Sequence, residues 1–213
     1  MNLGLAQGYL EAGDATKARL RAEQAVQTDP GSAEVRAMLG MIHSVAGEIE
    51  KAQREFDRAV QIAPTDGAIL NAHAAWSCEH GRAELADREF AKALLDPNYR
   101  TPAQALSNAG KCALSVGRLA PAEDYLRRAL VFAPDDRNLL YLLAETEFKQ
   151  GKFFEARAFV QRRDAQGADA RTLELAARIE EGSGDAMAAA RYRQRLHQEF
   201  PDYVPTGEGV RSP

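Results

Sequence analysis

Two cysteines and four histidines are the side chains of this 213-residue chain best suited to chemistry. Cys78 and Cys112 have no further cysteine or histidine at the spacing that tetrahedral zinc requires, so a metal site is not expected. Two readings of the pair stay open. They are buried free thiols, since cysteine packs as a small hydrophobe, or a disulfide formed in an oxidising compartment. His43, His73, His80 and His197 are scattered, with no cysteine or carboxylate converging on them, and read as structural or solvated groups. Asp135-Asp136 and Glu180-Glu181 are acidic pairs at a junction and a helix end, where solvation is the ordinary state. There is no phosphate-cradling glycine loop and no nucleophile elbow. Catalytic, cofactor and metal residues are therefore all expected to be none.

Composition narrows the partner. The hydrophobic share is 45% and the net charge is −4, with neither sign gathered into a long block. A nucleic-acid surface leaves a basic footprint, which is missing here. No apolar run approaches the roughly 20 residues that a spanning helix needs.

The elements that position these side chains announce themselves as a repeat. Gly13, Gly47, Gly81, Gly117, Gly151 and Gly184 each follow an apolar-periodic segment, at spacings of 34, 34, 36, 34 and 33 residues. That is the period of tetratricopeptide repeats, pairs of helices A and B. Five residues after each glycine stands Ala18, Ala52, Ala86, Ala122, Ala156 or Ala189; twelve after come Ala25, Ala59, Ala93 and Ala129. Pro30, Pro64, Pro134 and Pro201 recur seventeen after. The glycine ends helix A in a left-handed conformation, the alanines allow close helix approach, and the proline stops helix B. Leu39, Phe56, Phe90, Leu126 and Leu143 fill the layers between, and Trp76 reads as core or groove wall.

The expected fold is all-α, a right-handed superhelix (α-solenoid) of six such repeats forming one domain over 1–203, with units of about 1–32, 33–66, 67–100, 101–136, 137–169 and 170–203. The sixth is degenerate, with Arg193 where other units carry an apolar residue, as a solubilising cap requires, and a capped array predicts a monomer. Residues 204–213 lack periodicity and read as a disordered tail. Met1 already falls inside a repeat, so the expectation is a chain lacking its native leader. One junction departs from the period, the run from Asp96 to Gly110. Thr101 before Pro102, with Gln104 three residues on, predicts a capping box and a helix starting there.

Three stretches, Leu70 to Cys78, Asp96 to Pro102 and Ser107 to Leu114, together resemble the type IV pilus biogenesis and stability family, periplasmic tetratricopeptide lipoproteins that act as pilotins of the outer-membrane secretin. Of the Asn-Asn-Tyr-Gly that the family carries near Leu70, this chain keeps Asn71. The match from Tyr99 to Gly110 is closer, and the ending Gln198-Glu199-Phe200-Pro201 agrees. The resemblance implies a non-enzymatic scaffold at the periplasmic face of the outer membrane. It would be held there by an N-terminal lipidated cysteine that this sequence lacks, and would help the secretin or another pilus component to assemble. The alternative is a general tetratricopeptide adaptor or co-chaperone. That use wants several Lys or Arg on the concave face to clamp a carboxylate, and Lys111 stands almost alone among the central positions.

Counting from the glycines, the helix A positions expected to face a partner include Asn71, Gln104, Ser107, Asn108, Lys111, Tyr141, Glu145 and Phe148, the alternative being that they are merely solvated helix positions. Amides such as Asn71 and Asn108 can fix a peptide backbone, while Tyr141 and Phe148 take apolar side chains.

Overall fold

The structure is a computed structural model that describes residues 2–205, so the expected tail lies outside the described residues from 206 onward. The chain forms two compact units, Met1–Cys112 and Ala113–Pro213. The first holds α1 (Asn2–Glu11), α2 (Ala15–Thr28), α3 (Ala33–Val45), α4 (Ile49–Ile62), α5 (Gly67–Glu79) and α6 (Ala83–Ala93). The division falls inside α7 (Pro102–Ser115). The second unit continues with α8 (Leu119–Phe132), α9 (Arg137–Lys149), α10 (Phe153–Asp164), α11 (Ala170–Gly182) and α12 (Ala186–Glu199). The fold is all-α, in helix-turn-helix pairs. In the first unit α1, α3 and α5 pack in succession, and α2 and α4 each wedge against the following odd-numbered helix. In the second, α9 packs on α11, while α8 and α10 pack on their successors. Among the described residues no helix is long and apolar enough to cross a membrane.

The repeat marks do what their chemistry requires. All six marker glycines have φ between 74° and 87°, a left-handed turn in which a Cβ is strained. Ala18, Ala52, Ala86, Ala122, Ala156 and Ala189 are each 0% exposed, because a larger side chain there would push helix B off its partner. Pro30, Pro64, Pro134 and Pro201 each stand two residues beyond the last residue of α2, α4, α8 or α12. Capping completes the helix starts. Ser32, Asp66, Asp136 and Asp169 accept backbone N–H groups at the beginnings of α3, α5, α9 and α11. Each such cap contributes about 1 kcal/mol.

The irregular junction serves the fold. Pro102 is the first residue of α7, where the sequence places the start of a helix. The connection before it, 94–101, is longer than the four-residue links 29–32 and 63–66. The extra residues reach back to α5. Asp96 Oδ2 accepts the N–H of Gly67 at 2.8 Å, while its other oxygen accepts the N–H of Asn98 at 2.8 Å. A carboxylate at that point satisfies a free helical N–H and sits favourably at the positive end of the α5 dipole. Tyr99 covers Gly67 so closely that a Cβ on the glycine would lie 2.6 Å from Tyr99 Cβ and 2.8 Å from the Ala93 carbonyl. One obstacle is backbone and cannot swing aside. Gly67→Ala is accordingly expected to cost about 2 kcal/mol, read as a lower urea midpoint at unchanged slope. A midpoint equal to wild type would show that the junction yields freely.

Candidate partner-binding surface

Helices α5 and α7 supply the surface in the first unit. Cys78 and Cys112 are bonded as a disulfide, with Cα atoms 5.9 Å apart. Near it, Asn108 Nδ2 donates to Asn71 Oδ1 at 3.1 Å. This pair corrects the expectation for Asn71: it is 6% exposed and faces Asn108, not a partner. A buried amide needs its hydrogen bonds satisfied internally, and the facing asparagine does so. Asn108 is half-buried and is held by the same bond. On its outer side α7 exposes Gln104 and Lys111, with half-buried Ser107 between them. Their spacing of three and four residues puts them on one helical face.

In the second unit Tyr141, Glu145 and Phe148 lie on one face of α9, each half-buried. They are not open apolar seats. The Arg171 guanidinium lies 4.7 Å above the Tyr141 ring, and that of Arg178 lies 4.8 Å above Phe148. Phe148 also packs on Phe153, with centroids 5.9 Å apart. Glu145 pairs with Lys149 at 2.8 Å. This face therefore presents flat cations resting on rings, each contact contributing about 0.5–1 kcal/mol when exposed. Arg171 and Arg178 are the residues missed from sequence. Both belong to the sixth repeat, and the count of partner-facing positions stops at the fifth. Their separation of seven residues equals that of Tyr141 and Phe148, and carrying the count on from Gly184 would have exposed them.

The histidines are not free of carboxylates, contrary to the expectation from their scatter: His43 pairs with Glu48, and His73 with Glu89. His73 is 3% exposed, with Nδ1 3.0 Å from Glu89 Oε1, and its ring stacks on those of both Phe56 and Trp76, which also touch each other. His80 Nδ1 contacts the Trp76 carbonyl at 2.7 Å. Asp136 caps α9, and Glu180 receives Arg157 Nε at 2.8 Å. Among the described residues no group of three or more His, Cys, Asp or Glu could hold a metal ion.

Glu147 of α9 carries a pH consequence of its own. It is fully buried and paired with Arg127 of α8. Burial pushes its carboxyl up to about 7, against the opposing pull of Arg127. The unfolded chain releases this proton near pH 4.5, so between there and pH 7 the native state holds more protons and stability falls as pH rises. Glu147→Gln removes that loss. The variant's gain in thermal midpoint over wild type should be small at pH 5 and correspond to about 2 kcal/mol at pH 8. A gain independent of pH would refute the assignment.

A tetratricopeptide repeat family model matches residues 9–75. The chain is 25% identical over 202 residues to the type IV pilus assembly protein PilF of Pseudomonas aeruginosa, spanning 94% of this chain and 79% of that protein. The crystal structure of PilW, a widely conserved type IV pilus biogenesis factor, matches with a TM-score of 0.89 at 28% identity, covering 97% of this chain and 95% of that one. The structure of Pseudomonas aeruginosa PilF gives 0.84 at 24% identity over 97% of this chain and 94% of that chain, which speaks to the fold alone.

Proposed function

We propose that this chain, a tetratricopeptide-repeat protein related to the type IV pilus biogenesis factors PilF and PilW, is a non-enzymatic scaffold that assists the outer-membrane secretin to reach its place and assemble. It works at the periplasmic face of the outer membrane, held by an N-terminal lipid anchor, and contributes to pilus stability. The observation that carries the reading is the likeness to PilW, which extends over 97% of the chain. Tetratricopeptide pairs serve many clients, so a family resemblance across the whole array says more than the repeat does. The row on α7, exposed Gln104 and Lys111 with half-buried Ser107 between them, supplies an amide, a hydroxyl and an ammonium, which suit an extended partner backbone and its acidic groups. On α9, Tyr141, Glu145 and Phe148 form a second contact row with their overlying arginines.

The test is capture from detergent-solubilised envelopes of a type IV piliated bacterium, comparing wild type with the Gln104→Ala/Lys111→Ala variant. The secretin should be retained by wild type and depleted with the variant. Failure of folded wild-type protein to retain it would overturn the pilotin reading. Equal retention by both would move the contact away from α7.

A further inference from the structure

The last helix pair ends in a cavity of about 480 Å³. That is a size able to seat a large side chain with its adjoining backbone. Its floor is apolar: Ala177 of α11, Leu196 of α12, and Phe200 and Pro201 just beyond. Ala177 and Leu196 are 3% and 8% exposed. After α12 the chain turns back, with the Tyr203 N–H donating to the Phe200 carbonyl at 3.0 Å. The Tyr203 hydroxyl then donates to Glu174 Oε2 at 2.6 Å, which fixes one wall.

The rim is charged, and its charges are unequally engaged. Glu181 is paired with Arg193, and Glu174 accepts the Tyr203 phenol. Arg178 has no ion-pair partner among the described residues, and its guanidinium lies 4.8 Å above the Phe148 ring. Stacking fixes the plane of a guanidinium while leaving its N–H edge free, the arrangement that receives a carboxylate through two parallel hydrogen bonds. An apolar hole with one oriented, unneutralised cation at its mouth selects a particular visitor. We propose that this cavity binds an extended segment of a protein partner in which a large apolar side chain neighbours a carboxylate. The side chain fills the floor and the carboxylate meets Arg178. The site lies on the terminal repeat and does not depend on whether the α7 row holds a secretin.

The full chain would be titrated, in fluorescence polarisation, into a dye-labelled acetylated peptide Gly-Ser-Asp-Phe-Gly-Ser. Two altered peptides, Asn for Asp and Ala for Phe, serve as controls. Wild type should bind the first with an affinity at least about tenfold better than either control. Arg178→Gln should weaken the Asp peptide by about tenfold while leaving the Asn peptide unaffected, the non-additivity of a direct pair. Arg178→Lys should recover only part of the loss, since an ammonium lacks the planar fork. Unchanged melting by circular dichroism would show that the variants fold. Equal binding of the Asp peptide by wild type and Arg178→Gln, or no saturation below about 1 mM, would overturn the proposal. So would competition by a synthetic peptide of residues 206–213, which would make the chain's own end the occupant.

Discussion

Reduction of the Cys78–Cys112 bond is expected to lower the stability of the first unit by about 4 kcal/mol. The two cysteines are 34 residues apart in sequence. In the chain-entropy view, closing a loop of that length removes freedom from the unfolded chain worth roughly 3.5–4 kcal/mol. The native side adds little cost, because the 5.9 Å between the Cα atoms lies within the ordinary span of a disulfide. For a chain of this length each kcal/mol moves the thermal midpoint by about 2–4 °C, so the drop should be roughly 8–16 °C. The Cys78→Ser/Cys112→Ser variant should melt where reduced wild type melts and should ignore dithiothreitol. Cys112 is only 5% exposed, so reduction is best done in denaturant before refolding. Coincident melts of oxidised and reduced protein would mean the bond contributes nothing.

Phe56→Ala should be comparably severe, at about 4 kcal/mol. Phe56 is 1% exposed and lies in the cluster of Ala33, Ala37, Ala52, Ala59, Ile69 and Trp76. Its ring centroid is 5.2 Å from that of Trp76 and 5.8 Å from that of His73. It also fills the space beside Gly40, where an added Cβ would lie 2.8 Å from the ring. Removing the ring therefore opens a void bounded by three helices, α3, α4 and α5, none of which can collapse into it without disturbing the others. Urea unfolding should give a lower midpoint, with Phe132→Ala as a control near zero because Phe132 is 60% exposed. A Phe56→Ala loss below about 1 kcal/mol would mean that the cluster repacks freely.

The difference between what the sequence tells and what it hides follows from range. Glycine φ values, alanine burial and proline stops are imposed within one helix pair, so the period alone predicts Gly47, Ala52 and Pro64. Lateral pairings are another matter. Asn71 and Asn108 are 37 residues apart, in two repeats joined by the lengthened connection, and the helical count that puts both on a partner face cannot reveal that they face each other. The cysteines leave two readings open for the same reason, since period fixes position along a helix and not the distance to the next. The junction from Asp96 to Tyr99 stands out as a break in the period, yet its contacts to Gly67 depend on where α5 begins in space. Arg171 and Arg178 escape because a degenerate repeat invites the reading of a mere cap, although its polar substitutions are what cover Tyr141 and Phe148.

The bond between α5 and α7 also decides how the first unit carries a load. Tension applied along the backbone reaches Cys78 and crosses to Cys112 through the sulfur atoms, bypassing α6, the connection after it and most of α7. A stretched molecule would keep that loop slack and hidden. Reduction would release roughly 110–120 Å of additional contour length. The bridge thus makes α6 a mechanically idle segment, free to hold its shape while the chain on either side is drawn taut.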